Sequence, residues 1–259
     1  MTFRPSRIAF KQALASERPL IGMWQALADP YTAEICAHCG FDWLLFDGEH
    51  SPNSLYSLLA QAQAVSAFPL EPIARVPARD PVAIKQYLDM GFHTILVPMV
   101  EDAAEAEELV RAMRYAPHGF RGVSSATARA AAFGRNVDYL HQANEMVTLI
   151  VQIESAKGLD NIETIAAVEG VDALFVGPAD LSASLGYLGQ PLHPEVGKAV
   201  AHAKSVIDAA GKPAGVFSVS PENARQRIAE GFKFVSVGTD IGFLMERASA
   251  VLEEVRGPA

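Results

Sequence analysis

Apolar runs of five to nine residues recur along the chain, and almost every one is followed by a stretch with helical spacing. LIGMWQAL (20–27), DWLLFD (42–47), EPIARV (71–76), TILVPM (94–99), MVTLIVQIE (146–154), ALFVG (173–177), KPAGVFSV (212–219) and FKFVSVG (232–238) are eight strand candidates. They are rich in Val, Ile, Leu and Phe without clean alternation, as expected of strands buried on both faces. Helical spacing is found over 5–16, from Asp29-Pro30 to Gly40, over 54–66, from Asp80-Pro81 to Gly91, and over 102–114, 137–145, 157–168, 194–210, 221–230 and 241–256. Asp-Pro supplies a cap followed by a residue whose φ is preset for the first turn, and Gly ends the helix. The interval 116–136, with Pro117, three glycines and many small residues, reads as a long excursion carrying short helical pieces.

Eight strands alternating with helices predict an α/β fold, a (β/α)8 barrel in a single domain spanning 1–259. A doubly wound open sheet is the structural alternative. Its glycine-rich first turn is absent, because the first strand runs into QALADP.

Composition narrows the function classes. The 259 residues are 50% hydrophobic and 20% charged, and the formal charge of −9 (21 basic against 30 acidic) disfavours unspecific nucleic-acid binding. No apolar stretch approaches the roughly 18 residues of a membrane span, and no basic-then-apolar leader is visible, so a cytoplasmic location is expected. Cys36 and Cys39 have CxxC spacing. A reduced, partly buried pair fits better than a redox or metal motif, since disulfide frameworks use more cysteines.

In a barrel, chemistry gathers at the C-terminal strand ends. There the sequence places Trp24 and Gln25, then Asp47, Glu49 and His50, then Arg75, then Gln152 and Glu154, then Gly177-Pro178-Ala179-Asp180, and finally Thr239-Asp240. Two carboxylates aimed at one cavity repel unless a proton or cation lies between them, and a divalent cation with oxygen ligands suits Glu154 and Asp180. Against this, Glu154 can cap the next helix or pair with Lys157, and Asp180 can be an ordinary N-cap. If a short helix starts at Pro178, the amides of Ala179 and Asp180 face an anion. Arg75 has two readings, a structural ion pair or a contact to a substrate oxyanion. His50 is a candidate acid–base group, its unperturbed pKa being about 6.5. Asp89 is a candidate orienter for it, or a surface residue at a helix C-terminus. Asp47 is a second orienter or a partner for metal-bound water.

The blocks FDGEHSPN, IARVP, LDMGFHTILVPMV, the arginine-containing stretch after FRG, VQIES, VEGVDALFVGPADLSASLGYLGQPLHPEV and VSVGTD span nearly the whole chain. Together they make it resemble the HpcH/HpaI family of metal-dependent class II pyruvate aldolases, such as the 4-hydroxy-2-oxoheptanedioate aldolases of aromatic or sugar-acid catabolism. The resemblance implies a modified barrel with its last helix exchanged between subunits, and a homohexamer built as a trimer of dimers. It implies a divalent cation (Mg2+, Mn2+ or Co2+) on Glu154 and Asp180, with no organic cofactor. Arg75 would bind the keto oxygen, His50 would be the base with Asp89 as its partner, and Asp47 would sit near metal-bound water. Ala179 and Asp180 would hold the pyruvate carboxylate through their amides, with Gln152 beside the metal and Trp24 near the substrate. The implied reaction is reversible cleavage of 4-hydroxy-2-oxo acids to pyruvate and an aldehyde.

A Schiff-base aldolase needs a lysine projecting into the cavity, and Lys85, Lys157 and Lys233 fall in a helix or at element ends. A lyase acting on CoA thioesters and a catalytically inactive metabolite-binding protein are two further rivals to the aldolase. Glu49 stays open between a direct role and a supporting hydrogen bond.

Overall fold

The structure, a computed structural model, describes residues 8–257, so positions 5–7 of the first expected helix lie outside the described residues. The strands are β1 (Leu20–Gln25), β2 (Trp43–Asp47), β3 (Glu71–Arg75), β4 (Thr94–Val97), β5 (Thr148–Ile153), β6 (Ala173–Val176), β7 (Ala214–Phe217) and β8 (Phe234–Thr239). All neighbours pair in parallel in sequence order, and β8 returns to β1, so the sheet is a closed barrel. The open-sheet alternative is thereby excluded.

The helices are α1 (Ile8–Leu14), α2 (Pro30–Ala37), α3 (Leu55–Ala64), α4 (Pro81–Met90), α5 (Ala103–Met113), α6 (Tyr139–Met146), α7 (Ala156–Asp160), α8 (Ile162–Ala167), α9 (Pro178–Ser184), α10 (Pro194–Ala209), α11 (Pro221–Ala229) and α12 (Asp240–Arg256). Asp29 and Asp80 cap α2 and α4 by accepting from the amides of Thr32 and Val82. Among the described residues, no helix is long and apolar enough to cross a membrane.

Side chains on each strand divide between two apolar zones. Leu20, Trp24, Trp43, Leu45, Ile73, Leu96, Ile150, Phe175 and Phe234 fill the barrel, with Phe10 and Leu14 of α1 packed beneath. Their neighbours Leu44, Phe46, Ala74, Ile95, Val97, Leu149, Val151 and Val176 pack outward under the helices. Both faces are therefore apolar, which is why the strands show no binary alternation. Two glycines make room for the interior. A Cβ on Gly22 would lie 2.0 Å from the Trp43 ring, and one on Gly215 would lie 2.4 Å from that of Phe234. Truncating the fully buried Trp43 to Ala would cost about 3–5 kcal/mol.

Three sequence expectations are corrected. Most expected strands overrun, most clearly 212–219 against Ala214–Phe217, where Lys212 and Pro213 precede the strand and Ser218 and Val219 belong to the turn before α11. The expected helix 157–168 is two, α7 and α8, broken at Asn161, whose side chain donates to the Glu101 carbonyl at 2.9 Å. The excursion 116–136 contains one 3-10 turn, Arg129–Ala131, followed by three left-handed residues, Ala132, Phe133 and Gly134.

Candidate active site at the C-terminal rim

Register brings the polar residues together. Asp47 and Arg75 are direct neighbours across β2 and β3, and Gln152 on β5 faces Phe175 on β6. The strand ends surround a cavity of about 390 Å³, lined by Trp24, Asp47, His50, Arg75, Gln152, Phe175, Gly177, Ala179, Asp180, Phe217, Val219 and Thr239, among others. Across the rim, Asp240 accepts from the amides of Ala26 and Leu27 at 2.8 and 3.1 Å, tying the turn after β1 to the start of α12.

Arg75 is the best-fixed group. Its Nε and Nη2 donate to the two oxygens of Asp47 at 2.8 and 2.7 Å, and Nη1 lies 2.9 Å from Glu49 Oε2. Its guanidinium sits 5.6 Å from the Trp24 ring. A two-point pair on one edge and a carboxylate on the next nitrogen fix the plane of the guanidinium. Burial alone would raise the Asp47 carboxyl, but Arg75 and the Glu49 and His50 amides outweigh it and hold Asp47 below its ordinary value. Glu49 is shifted the other way, upward, because burial dominates over its attraction to Arg75 and His50. The residue left open in the sequence is thus part of the Arg75 assembly.

Glu154 follows β5 and is only 2% exposed. Its Oε1 accepts from the Met99 amide at 2.9 Å, and its Oε2 from Gln152 Nε2. Burial pushes its carboxyl up to about 7, and the negative charges of Asp180 and Glu49 add to this against the pull of the Met99 amide and Arg75. Glu154 neither caps the next helix nor pairs with Lys157, since Ser155 caps α7 and Lys157 pairs with Glu101 and Asp102. Gly177 presses against the pair, as a Cβ there would meet Glu154 Oε2 at 2.6 Å and Gln152 Nε2 at 2.7 Å. Gln152 Oε1 is buried without a hydrogen-bond partner. A short helix does start at Pro178, placing Ala179 and Asp180 in the first turn of α9, where backbone amides have no intrahelical acceptor.

Asp89 departs from expectation. It lines a separate cavity with Tyr56, Arg129 and Phe133, and its Oδ1 accepts from Arg121 Nη2 at 2.7 Å. Arg121 is held between the rings of Tyr115 and Tyr139 at 4.5 and 5.9 Å, so this ion pair anchors the excursion to α4. The expected Asp89–His50 contact is therefore not made within the chain. The carboxylate beside His50 Nε2 is Glu49, at 3.9 Å, and the imidazole is 66% exposed. Residues 217–222 are expected to bear on specificity, and Phe217 and Val219 do line the cavity, whereas sequence reasoning missed Met99 and Phe175 because their placement depends on backbone direction and on which face of a strand points inward.

The family model for HpcH/HpaI aldolase/citrate lyase matches residues 20–246. The chain belongs to that family. Within the HpcH/HpaI family it is 54% identical over 248 residues to a hydroxypyruvate/pyruvate aldolase of Deinococcus radiodurans, covering 96% of this chain and 90% of that one. It is 48% identical over 243 residues to a 4-hydroxy-2-oxo-heptane-1,7-dioate aldolase of Salmonella dublin, covering 94% and 92%. The crystal structure of an HpcH/HpaI family protein from Burkholderia cenocepacia superposes with a TM-score of 0.93 at 43% identity, covering 96% of this chain and 99% of that one.

Proposed function

We propose that this chain is a class II pyruvate aldolase, cleaving 4-hydroxy-2-oxo acids reversibly to pyruvate and an aldehyde with a divalent cation on Glu154 and Asp180. The observation that carries the reading is Glu154, a buried carboxylate raised to about 7 and held against Gln152 and Gly177, two residues of the cavity lining that also includes Asp180 and a rigidly held arginine. Its charged form is favoured by a cation bound between it and Asp180, and without one a proton takes that place.

The donor set fits the ion. No cluster of three or more His, Cys, Asp or Glu suited to a metal occurs among the described residues. In the proposed site two carboxylates would supply the protein ligands, leaving other positions to water and substrate oxygens, as a cation such as Mg2+, Mn2+ or Co2+ accepts. When bound, the cation supplies Lewis-acid charge beside the C2 carbonyl oxygen.

The chain's own residues do the rest. Arg75 donates to the C2 oxygen as it gains charge during C3–C4 cleavage, and needs no reorganisation because Asp47 and Glu49 already fix it. The first-turn amides of Ala179 and Asp180 bind the C1 carboxylate. His50 removes the C4 hydroxyl proton in cleavage and returns it in synthesis. Asp47 holds Arg75 through both oxygens and draws the His50 loop in by accepting from the His50 backbone amide. Gln152 keeps one donor on Glu154 and offers Oε1 to a hydroxyl or water. Trp24, Phe175 and Phe217 form an aromatic floor, with ring centroids 5.3 Å apart from Trp24 to each of the others, that keeps bulk water from the enolate.

The whole chain is read as one barrel domain working as a homohexamer with α12 exchanged between subunits. This is supported by α12 itself, a helix of 17 residues in which only Asp240 is buried while Leu244, Met245, Leu252 and Val255 lie open.

Enolisation is tested without knowing the aldehyde. Pyruvate in D2O with the protein and Mg2+ should lose its methyl proton signal by NMR and keep it when the ion is chelated. Hydroxypyruvate should be run beside it. Failure to exchange either keto acid with Mg2+, Mn2+ or Co2+ would refute the proposal.

A further inference from the structure

Met99 has a φ of 54°, in the left-handed region that side chains other than glycine rarely adopt. It lies just past β4 in the stretch Val97-Pro98-Met99-Val100-Glu101. The turn aims two successive amides at β5 and its extension. Met99 N–H donates to Glu154 Oε1 at 2.9 Å, and Val100 N–H donates to the Gln152 carbonyl at 3.2 Å. A strained residue persists only where its surroundings hold it. Here the Met99 carbonyl accepts from Arg79 Nη1 at 2.7 Å. The same nitrogen reaches Glu105 Oε2, which also accepts from the Glu101 amide at 2.8 Å. Glu105 is in turn seated in the first turn of α5, where its amide donates to Asp102 at 3.0 Å.

A carboxylate's terminal torsion is soft, so the two donors on Glu154 decide where its free lone pairs point. One donor is Gln152 and the other is the strained Met99 amide. The geometry points to Arg79 as a positioning residue for the metal site. By gripping the Met99 carbonyl it keeps the turn left-handed and the amide on Glu154, although Arg79 does not line the cavity and its side chain is 36% exposed. This inference rests on the proposed cation at Glu154 and Asp180. Coulomb's law makes the opposite forecast, because removing a nearby cation favours binding of another. The sign of the effect therefore separates positioning from simple charge.

The test measures the Mn2+ dissociation constant of the full chain by EPR detection of free Mn2+, alongside thermal melts. Arg79→Met should weaken Mn2+ binding about 10- to 100-fold, the usual range for losing a group that orients a metal ligand. Arg79→Lys, which keeps one donor for the carbonyl, should recover most of that loss. In a Met99→Gly background the turn is free of strain, and adding Arg79→Met should weaken binding only about threefold or less. Should Arg79→Met fail to fold, Arg79→Gln supplies the same reading against Arg79→Lys. Unchanged or tighter Mn2+ binding in the Arg79→Met or Arg79→Gln variant would overturn the inference, as would an equal loss in the glycine background. A wild-type chain that binds no Mn2+ would instead sink the metal reading itself.

Discussion

Glu154→Gln should make the metal-free protein more stable while abolishing its use of metal. The folded carboxyl titrates at about 7 against an ordinary value of 4.5. The folded state therefore binds the extra proton between these values, and stability falls as pH rises through that window. Raising the carboxyl from 4.5 to about 7, at about 1.36 kcal/mol per pH unit, places the penalty at about 3 kcal/mol at pH 8. At pH 5 less than about 1 kcal/mol of it is present. Glutamine keeps the shape and removes the charge. It also sets its amide nitrogen against one of two donors, Met99 N–H or Gln152 Nε2, at about 1 kcal/mol unless Gln152 turns over. The net gain of about 2 kcal/mol at pH 8 corresponds to roughly 4–8 °C in Tm for a chain of this size. The assay is calorimetry of chelator-treated protein at pH 8 and pH 5, repeated with saturating Mn2+. The variant should melt higher at pH 8 and level with wild type at pH 5, and only wild type should gain from Mn2+. A variant less stable than wild type at pH 8, or equally stabilised at both pH values, would refute the picture of a carboxylate held at an energetic cost.

His50→Asn should lower kcat by about 10²–10⁴ with Mn2+ affinity intact, and a wild-type rate in a coupled pyruvate assay would remove His50 as the base. Arg75→Lys cannot make the two-point contact to Asp47, so kcat/KM should fall about 10²–10³-fold while Mn2+ still binds, and retained activity would mean a point charge suffices. Gly177→Ala places a Cβ 2.6 Å from Glu154 Oε2, so Mn2+ titration should show weaker binding than wild type, and an unchanged titration would mean that the carboxylate is not confined there. Leu244→Glu, on the open face of α12, should shift the protein to smaller species in sedimentation, and an unchanged assembly would contradict a buried role for that helix.

The barrel was legible in the sequence because each strand is a short Val, Ile, Leu or Phe run bracketed by punctuation that acts locally. Asp29-Pro30 and Asp80-Pro81 start helices and Gly91 ends one, through backbone rules that need no tertiary context. Asp47, Arg75, Gln152, Glu154 and Asp180 were legible for a related reason, since a polar residue at the end of a buried strand lies on the rim. Asp89 was not. It lies on α4, 32 positions before the arginine that claims it, and that pairing depends on two tyrosine rings closing around Arg121. Met99 was invisible because nothing in VPMVE announces a left-handed methionine, which is imposed by Arg79 and by the register of β4 on β5. Glu49 could not be placed because adjacent rim residues diverge, leaving Glu49 against Arg75 and His50 largely in solvent.

Cation-dependent aldol cleavage at the rim formed by Arg75, Glu154 and Asp180 is tested most directly by pyruvate release from a panel of 4-hydroxy-2-oxo acids. Release is followed with a coupled dehydrogenase, in chelated protein and after adding back Mg2+, Mn2+ or Co2+. It should disappear on chelation and return with the ion. Release that persists in chelator, together with a pyruvate–protein adduct trapped by borohydride, would contradict a metal-dependent aldolase.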